Sequence, residues 1–202
     1  VHNITQLLED QEIKIIEIAE ADNLFDGMAT IIDEKYAVIV INENFPIERK
    51  RFTLLHELGH LILDIPDCDF KEEENYCNLF AAEFLFPLSN VFKEFGKNRR
   101  SVAIQELIEA QKKYGMSIQA IMYRLLNADI ISKNQLSNFY RQINFNKELK
   151  KVIDKDRFET PEFSHRYKQL VYRAYSQELI SASKAASLLG ENINKILAKE
   201  MV

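Results

Sequence analysis

The chain has 202 residues, 47% apolar and 28% charged, with a net charge of −5, the profile of a globular protein long enough to bury a core. No apolar run approaches the roughly 18–20 residues that span a bilayer, and the opening VHNITQLLEDQ lacks the basic and apolar regions of an export signal. Two cysteines, Cys68 and Cys77, offer no disulfide framework, so a cytoplasmic, non-membrane protein is expected. The first residue is Val rather than Met, which leaves the N-terminal boundary open. Charge is divided unevenly: residues 1–88 carry 6 Lys/Arg against 19 Asp/Glu, and residues 89–202 carry 20 against 12. The basic residues are scattered rather than clustered, which argues for solvated faces over a nucleic-acid surface.

Three β-rich runs come first, at Ile13–Ala19, Gly27–Ile32 and Tyr36–Ile41, separated by Asn/Asp/Gly and Asp-Glu-Lys turn signals. They predict a small, mainly antiparallel three-stranded sheet. From Pro46 the period becomes helical and continues without a breaker to Pro66. Leu54, Leu55, Leu58, Leu61 and Ile62 cover most of the wheel, the mark of a buried helix. A second helix is expected over about Lys71–Phe86, ended by Pro87. Further helices are expected near Ser89–Phe95, Ala103–Tyr114, Ser117–Leu126 and Lys133–Ile143. A charged stretch at 145–160 reads as a linker, and helical patterns resume at Phe163–Gln177, Ser183–Leu189 and Asn192–Lys199. The expected fold is therefore α+β: the sheet packed on the first long helix, a helical bundle, and a C-terminal helical extension. The domains would be residues 1–144, a linker at 145–160, and the extension at 161–202.

The first long helix contains His56-Glu57-Leu58-Gly59-His60, a HExxH string. Two His at i and i+4 share a helix face and can chelate one divalent cation, and the adjacent Glu can hold and deprotonate a water. Such polar groups on an apolar helix are costly unless a cation satisfies them together. A third protein ligand is needed. Asp64 lies eight residues from His56, about 12 Å along a helix, whereas metal bonds are about 2 Å. The second helix is the better source: Glu73 and Glu74 both fall in its stripe with Cys77, Phe80, Ala81, Phe84 and Leu85, and periodicity does not choose between them. Cys77 is a soft donor on that face, but a thiol beside three Glu has little to lower its pKa. Cys68 reads as a loop residue, and His165 as a surface residue that could also reach the site as a donor.

The segments RFTLLHELGHL (51–61) and ENYCNLFAAEFLFP (74–87) resemble the ImmA/IrrE metallopeptidases, whose pattern runs RFTxAHELGH and then ExxANxFAAELLMP. The departures include Leu55 for Ala, Cys77 for Ala and Phe86 for Met. The resemblance covers about residues 27–140. It implies a gluzincin-like zinc site in which Glu74 is the third ligand with His56 and His60, Glu57 is the general base, and Asn78 steadies a His ligand. Zn²⁺ is the expected metal, and Mn²⁺ or Fe²⁺ would suit the same donors. It further implies an intracellular endopeptidase acting on one protein, an XRE-type helix-turn-helix repressor, so as to release stress-response or mobile-element genes. Some relatives carry a repressor-like domain upstream on the same chain.

Two other readings compete. A non-catalytic regulatory protein on the same fold would act by binding a repressor or DNA. Ile180–Gly190 resembles half of a helix-turn-helix, but only Lys184, Lys195 and Lys199 offer phosphate contacts. A general aminopeptidase has no second metal cluster to support it.

Overall fold

The structure is a computed structural model that describes residues 3–20, 25–155 and 158–198. They form two compact units, Val1–Glu162 and Phe163–Val202.

In the first unit, α1 (Ile4–Asp10) precedes β1 (Lys14–Ile18), β2 (Gly27–Ile32) and β3 (Tyr36–Asn42). β2 and β3 form the expected antiparallel hairpin, from Gly27 opposite Ile41 to Ile32 opposite Tyr36. Its turn is tight because Asp33 and Glu34 take left-handed conformations and the Lys35 N–H donates to the Ile32 carbonyl. β1 joins the other side of β3 in parallel, Lys14 opposite Val38, so the sheet is mixed, with order β1-β3-β2. Asn42, fully buried, closes the β1–β2 connection by donating to the carbonyls of Glu20 and Phe25.

One face of β3 supplies Ile39 and Ile41 to the core, where they meet Leu54, Leu55 and Leu58 of α2 (Ile47–Ile62). Each fully buried Leu or Ile stabilises by roughly 1.5–3 kcal/mol, which holds α2 against the sheet. Pro46 is the residue before the helix rather than within its first turn. α3 (Phe70–Leu85) is opened by Asp69, whose carboxylate accepts from the Glu72 N–H at 2.8 Å. The two helices pack closely at Gly59, where an added Cβ would lie 3.2 Å from the Cα, Cβ and Sγ of Cys77.

Four helices then complete the bundle: α4 (Leu88–Phe95), α5 (Ile104–Tyr114), α6 (Ile118–Asn127) and α7 (Lys133–Phe145). Arg124 of α6 ties the end of α3, pairing with Glu83 and donating from Nε to the Phe86 carbonyl at 3.2 Å. In the charged stretch that follows, residues 147–155 form α8 (Lys147–Lys155), whose Leu149 and Ile153 lie on the core. Phe158 and Glu162 are buried against α2: the Phe158 N–H donates to Glu48, and Glu162 pairs with Arg51 at 2.6 Å. Glu162 also accepts from the N–H groups of Ile4 and Thr5, which fastens α1 to the same helix.

The second unit holds α9 (Arg166–Ser176), α10 (Ala182–Leu189) and α11 (Ile193–Ala198) around Val171, Ala185, Ala186 and Ile196. Gly190 is left-handed and turns α10 into α11. Lys199 lies outside the described residues. Among the described residues no helix is long and apolar enough to cross a membrane.

Candidate metal centre

His56 and His60 lie one turn apart on α2, and Glu74 faces them from the first turns of α3. One donor atom from each of the three falls within 4.8 Å of the others. His56 Nε2 is 3.3 Å from one Glu74 oxygen, His60 Nε2 is 3.2 Å from the other, and the two Nε2 atoms are 3.2 Å apart. The outer nitrogens are engaged elsewhere. His56 Nδ1 is 3.1 Å from Asn78 Oδ1, and His60 Nδ1 is 3.2 Å from Glu73 Oε1. A proton on each Nδ1, donated to these oxygens, would leave each Nε2 with a lone pair turned inward, the form in which imidazole binds a metal.

In that form the inner atoms are two nitrogen lone pairs and a carboxylate, all acceptors. Burial pushes the His56 pKa down, further lowered by His60 and opposed by Glu74, which favours the neutral ring. Acceptors gathered at this spacing repel unless a cation lies among them, and a His₂-carboxylate set suits zinc. The donor chemistry therefore fits a divalent metal.

Glu57 sits on the sheet side of α2, only 7% exposed. Burial raises its pKa, helped by Glu74 and Asp26 and opposed by His60. β2 begins directly against it: a Cβ on Gly27 would lie 3.0 Å from Glu57 Oε1 and 2.6 Å from the Thr53 methyl. Asp26, just before, is fixed by two 2.7 Å hydrogen bonds from Arg49.

The sequence-predicted residues His56, Glu57, His60, Glu74 and Asn78 are thus brought together. Asp64 falls past the end of α2 and is exposed. Cys77 is fully buried against Gly59 with its thiol pushed up to about 11 by burial first, then by Glu74, Glu73 and Glu57. Cys68 is also raised, by desolvation and four acidic neighbours. His165 belongs to the second unit, edge-on to Phe163. Sequence reasoning missed the contact of Glu73 with His60 and the fit of Gly27 beside Glu57. The stripe containing both Glu73 and Glu74 held the signal for the first, and nothing local marked the second.

A family model described as the IrrE N-terminal-like domain, a peptidase family, matches residues 8–126. The radiation response metalloprotease IrrE of Deinococcus radiodurans is 29% identical over 140 residues, 61% of this chain and 39% of that protein. The matched region thus spans about two-fifths of that relative's length. The chain belongs to the IrrE N-terminal-like family of metallopeptidases.

Proposed function

We propose that this chain is a zinc-dependent endopeptidase that cuts an XRE-type helix-turn-helix repressor and so derepresses stress-response or mobile-element genes. The observation that carries the peptidase reading is the set of inward acceptors from His56, His60 and Glu74 within 4.8 Å, with buried Glu57 beside it. Zinc held by these three residues would polarise the scissile carbonyl and lower the pKa of a water towards 7. Glu57 takes the proton of that attacking water and passes it to the departing amine nitrogen. Its raised pKa suits a group that must hold a proton between the two transfers. Asn78 and Glu73 hold the imidazoles through Nδ1, fixing tautomer and orientation.

The outer edge of β2 has no strand partner among the described residues, and β2 starts at Gly27 beside Glu57. An extended segment that paired along that edge would pass its backbone by the general base. An edge accepts the interior of a chain as readily as its end, which favours endopeptidase over aminopeptidase. The net negative charge of residues 1–88 suits a basic, DNA-binding substrate, and the repressor assignment follows the ImmA/IrrE resemblance.

The test is incubation of the zinc-loaded chain, and of Glu57→Gln beside it, with candidate helix-turn-helix repressors of the same organism, followed by intact-mass spectrometry. One discrete cut by the parental chain and none by the variant is expected. Equal cutting by both would rule out Glu57 as the base, and an untouched set of repressors would rule out the substrate.

A further inference from the structure

A cleft of about 810 Å³ opens among α2, α3, α6 and α7, a size ordinary for a ligand site. It adjoins the candidate centre. Asn78, whose Oδ1 lies 3.1 Å from His56 Nδ1, is part of its wall, and Phe52, one turn before His56 on α2, is another part. The His56 ring therefore meets the cleft wall through Nδ1, at Asn78, and the candidate centre through Nε2. One helical turn is about 5.4 Å and an extended residue about 3.3 Å. Along α2 the cleft wall at Phe52 is therefore about one helical turn from His56.

Its lining is mixed in residue type but exposes more apolar than polar surface. Phe52, Leu79, Leu126, Tyr123 and Tyr140 supply much of the lining, with the two tyrosine rings 6.1 Å apart. The charges around it are already engaged. Arg49 is held by Asp26, Glu48 by the Phe158 N–H, and Arg124 by Glu83 and the Phe86 carbonyl. The Tyr140 hydroxyl is engaged with Tyr123. A charged side chain entering there would lose water against two arginines already paired and a Glu48 carboxylate that is itself buried, whereas an aromatic or large aliphatic one would bury its surface against the rings and leucines of the lining.

We propose that this cleft is the specificity pocket of the peptidase, receiving a large apolar side chain of the substrate within about two residues of the bond to be cut. The assignment rests on the metallopeptidase reading above and adds the class of sequence that the site accepts.

The test needs no turnover. Two hydroxamates, identical except for a benzyl group beside the chelating end of one, are titrated calorimetrically against the zinc-loaded chain, with a third bearing an aminobutyl group. The benzyl compound is expected to bind about tenfold or more tightly than the unsubstituted one, the effect of burying one aromatic side chain. Leu79→Glu, with zinc content unchanged, is expected to abolish that preference and to favour the aminobutyl compound instead. That gain of binding separates a changed pocket from a misfolded one. Equal affinities on a zinc-loaded parental chain would overturn the pocket while leaving the peptidase reading in place. A chain that takes up no zinc would overturn both.

Discussion

Gly59 and Cys77 are in such close register that a methyl group on Gly59 would stand 3.2 Å from both the backbone and the side chain of Cys77. This crossing of α2 and α3 sets how near Glu74 comes to His56 and His60. Ala in place of Gly in a helix gains about 1 kcal/mol of propensity, but overpacking costs about 1–3 kcal/mol. The Cys77 Cα cannot rotate away, so the steric cost prevails. Gly59→Ala is expected to lower stability by about 1 kcal/mol and to weaken zinc binding, measured by thermal unfolding and by competition with a chromogenic chelator.

The two neighbouring acids have different expected weights. Glu74→Gln removes a charged oxygen facing both Nε2 atoms, and zinc affinity should fall by well over 100-fold. Glu73→Gln and Asn78→Ala touch only the outer nitrogens, and a loss of about 10–100-fold is expected for such partners. Equal losses for Glu73→Gln and Glu74→Gln in the same competition assay would contradict the geometry.

Arg51 and Glu162 form an ion pair in which both side chains are almost wholly buried, at 1% and 2% exposure. Arg51 also donates to the Gly115 carbonyl at 3.2 Å and lies over the Phe158 ring. Removing one partner strands the other charge, so Glu162→Gln is expected to cost about 3–5 kcal/mol. Replacing both with Met removes the stranded charge but orphans the Ile4 and Thr5 N–H groups and the Gly115 carbonyl, so the double variant is expected to lose less than the sum of the single Met variants but to remain destabilised. Urea unfolding of the two single variants and the double variant measures the coupling.

A high-pH effect follows from Cys77. Its thiol is pushed from the ordinary 9.0 to about 11. Below pH 9 the group is protonated in both folded and unfolded chains and does not affect the pH dependence. Between 9 and about 11 the unfolded chain gives up the proton first, so stability falls as pH rises. Tyr140, raised from 10.0 to about 12, acts in the same direction at slightly higher pH. In chelator-treated protein, the urea midpoint should hold steady to pH 8.5 and decline above it, with a shallower decline in Cys77→Ala.

Much of this was legible because the signals are local. The β2–β3 hairpin follows from alternation across Asp33-Glu34-Lys35, and α2 and α3 follow from helical periodicity bounded by Pro46, Asp69 and Pro87. The parallel pairing of β1 with β3 was not, since strand direction depends on contacts far apart in sequence. α1 is seven residues long and draws two of its N-terminal hydrogen bonds from Glu162, more than 150 positions away. The charged run around 147–155 resembles an exposed connection by composition, yet Leu149 and Ile153 give α8 an apolar side for the core. At the centre, the HExxH spacing announces itself. The division of labour between Glu73 and Glu74 depends on the rotation of α3 against α2, which periodicity leaves undetermined by one residue.

The most direct measurement is the metal content of the purified chain by elemental mass spectrometry, parental protein beside His60→Ala. The site geometry predicts about one zinc per parental chain and essentially none in the variant, with both showing the same helical circular dichroism. No metal in the parental chain after incubation with zinc, or equal metal in both, would contradict the assignment of His56, His60 and Glu74 as a metal centre.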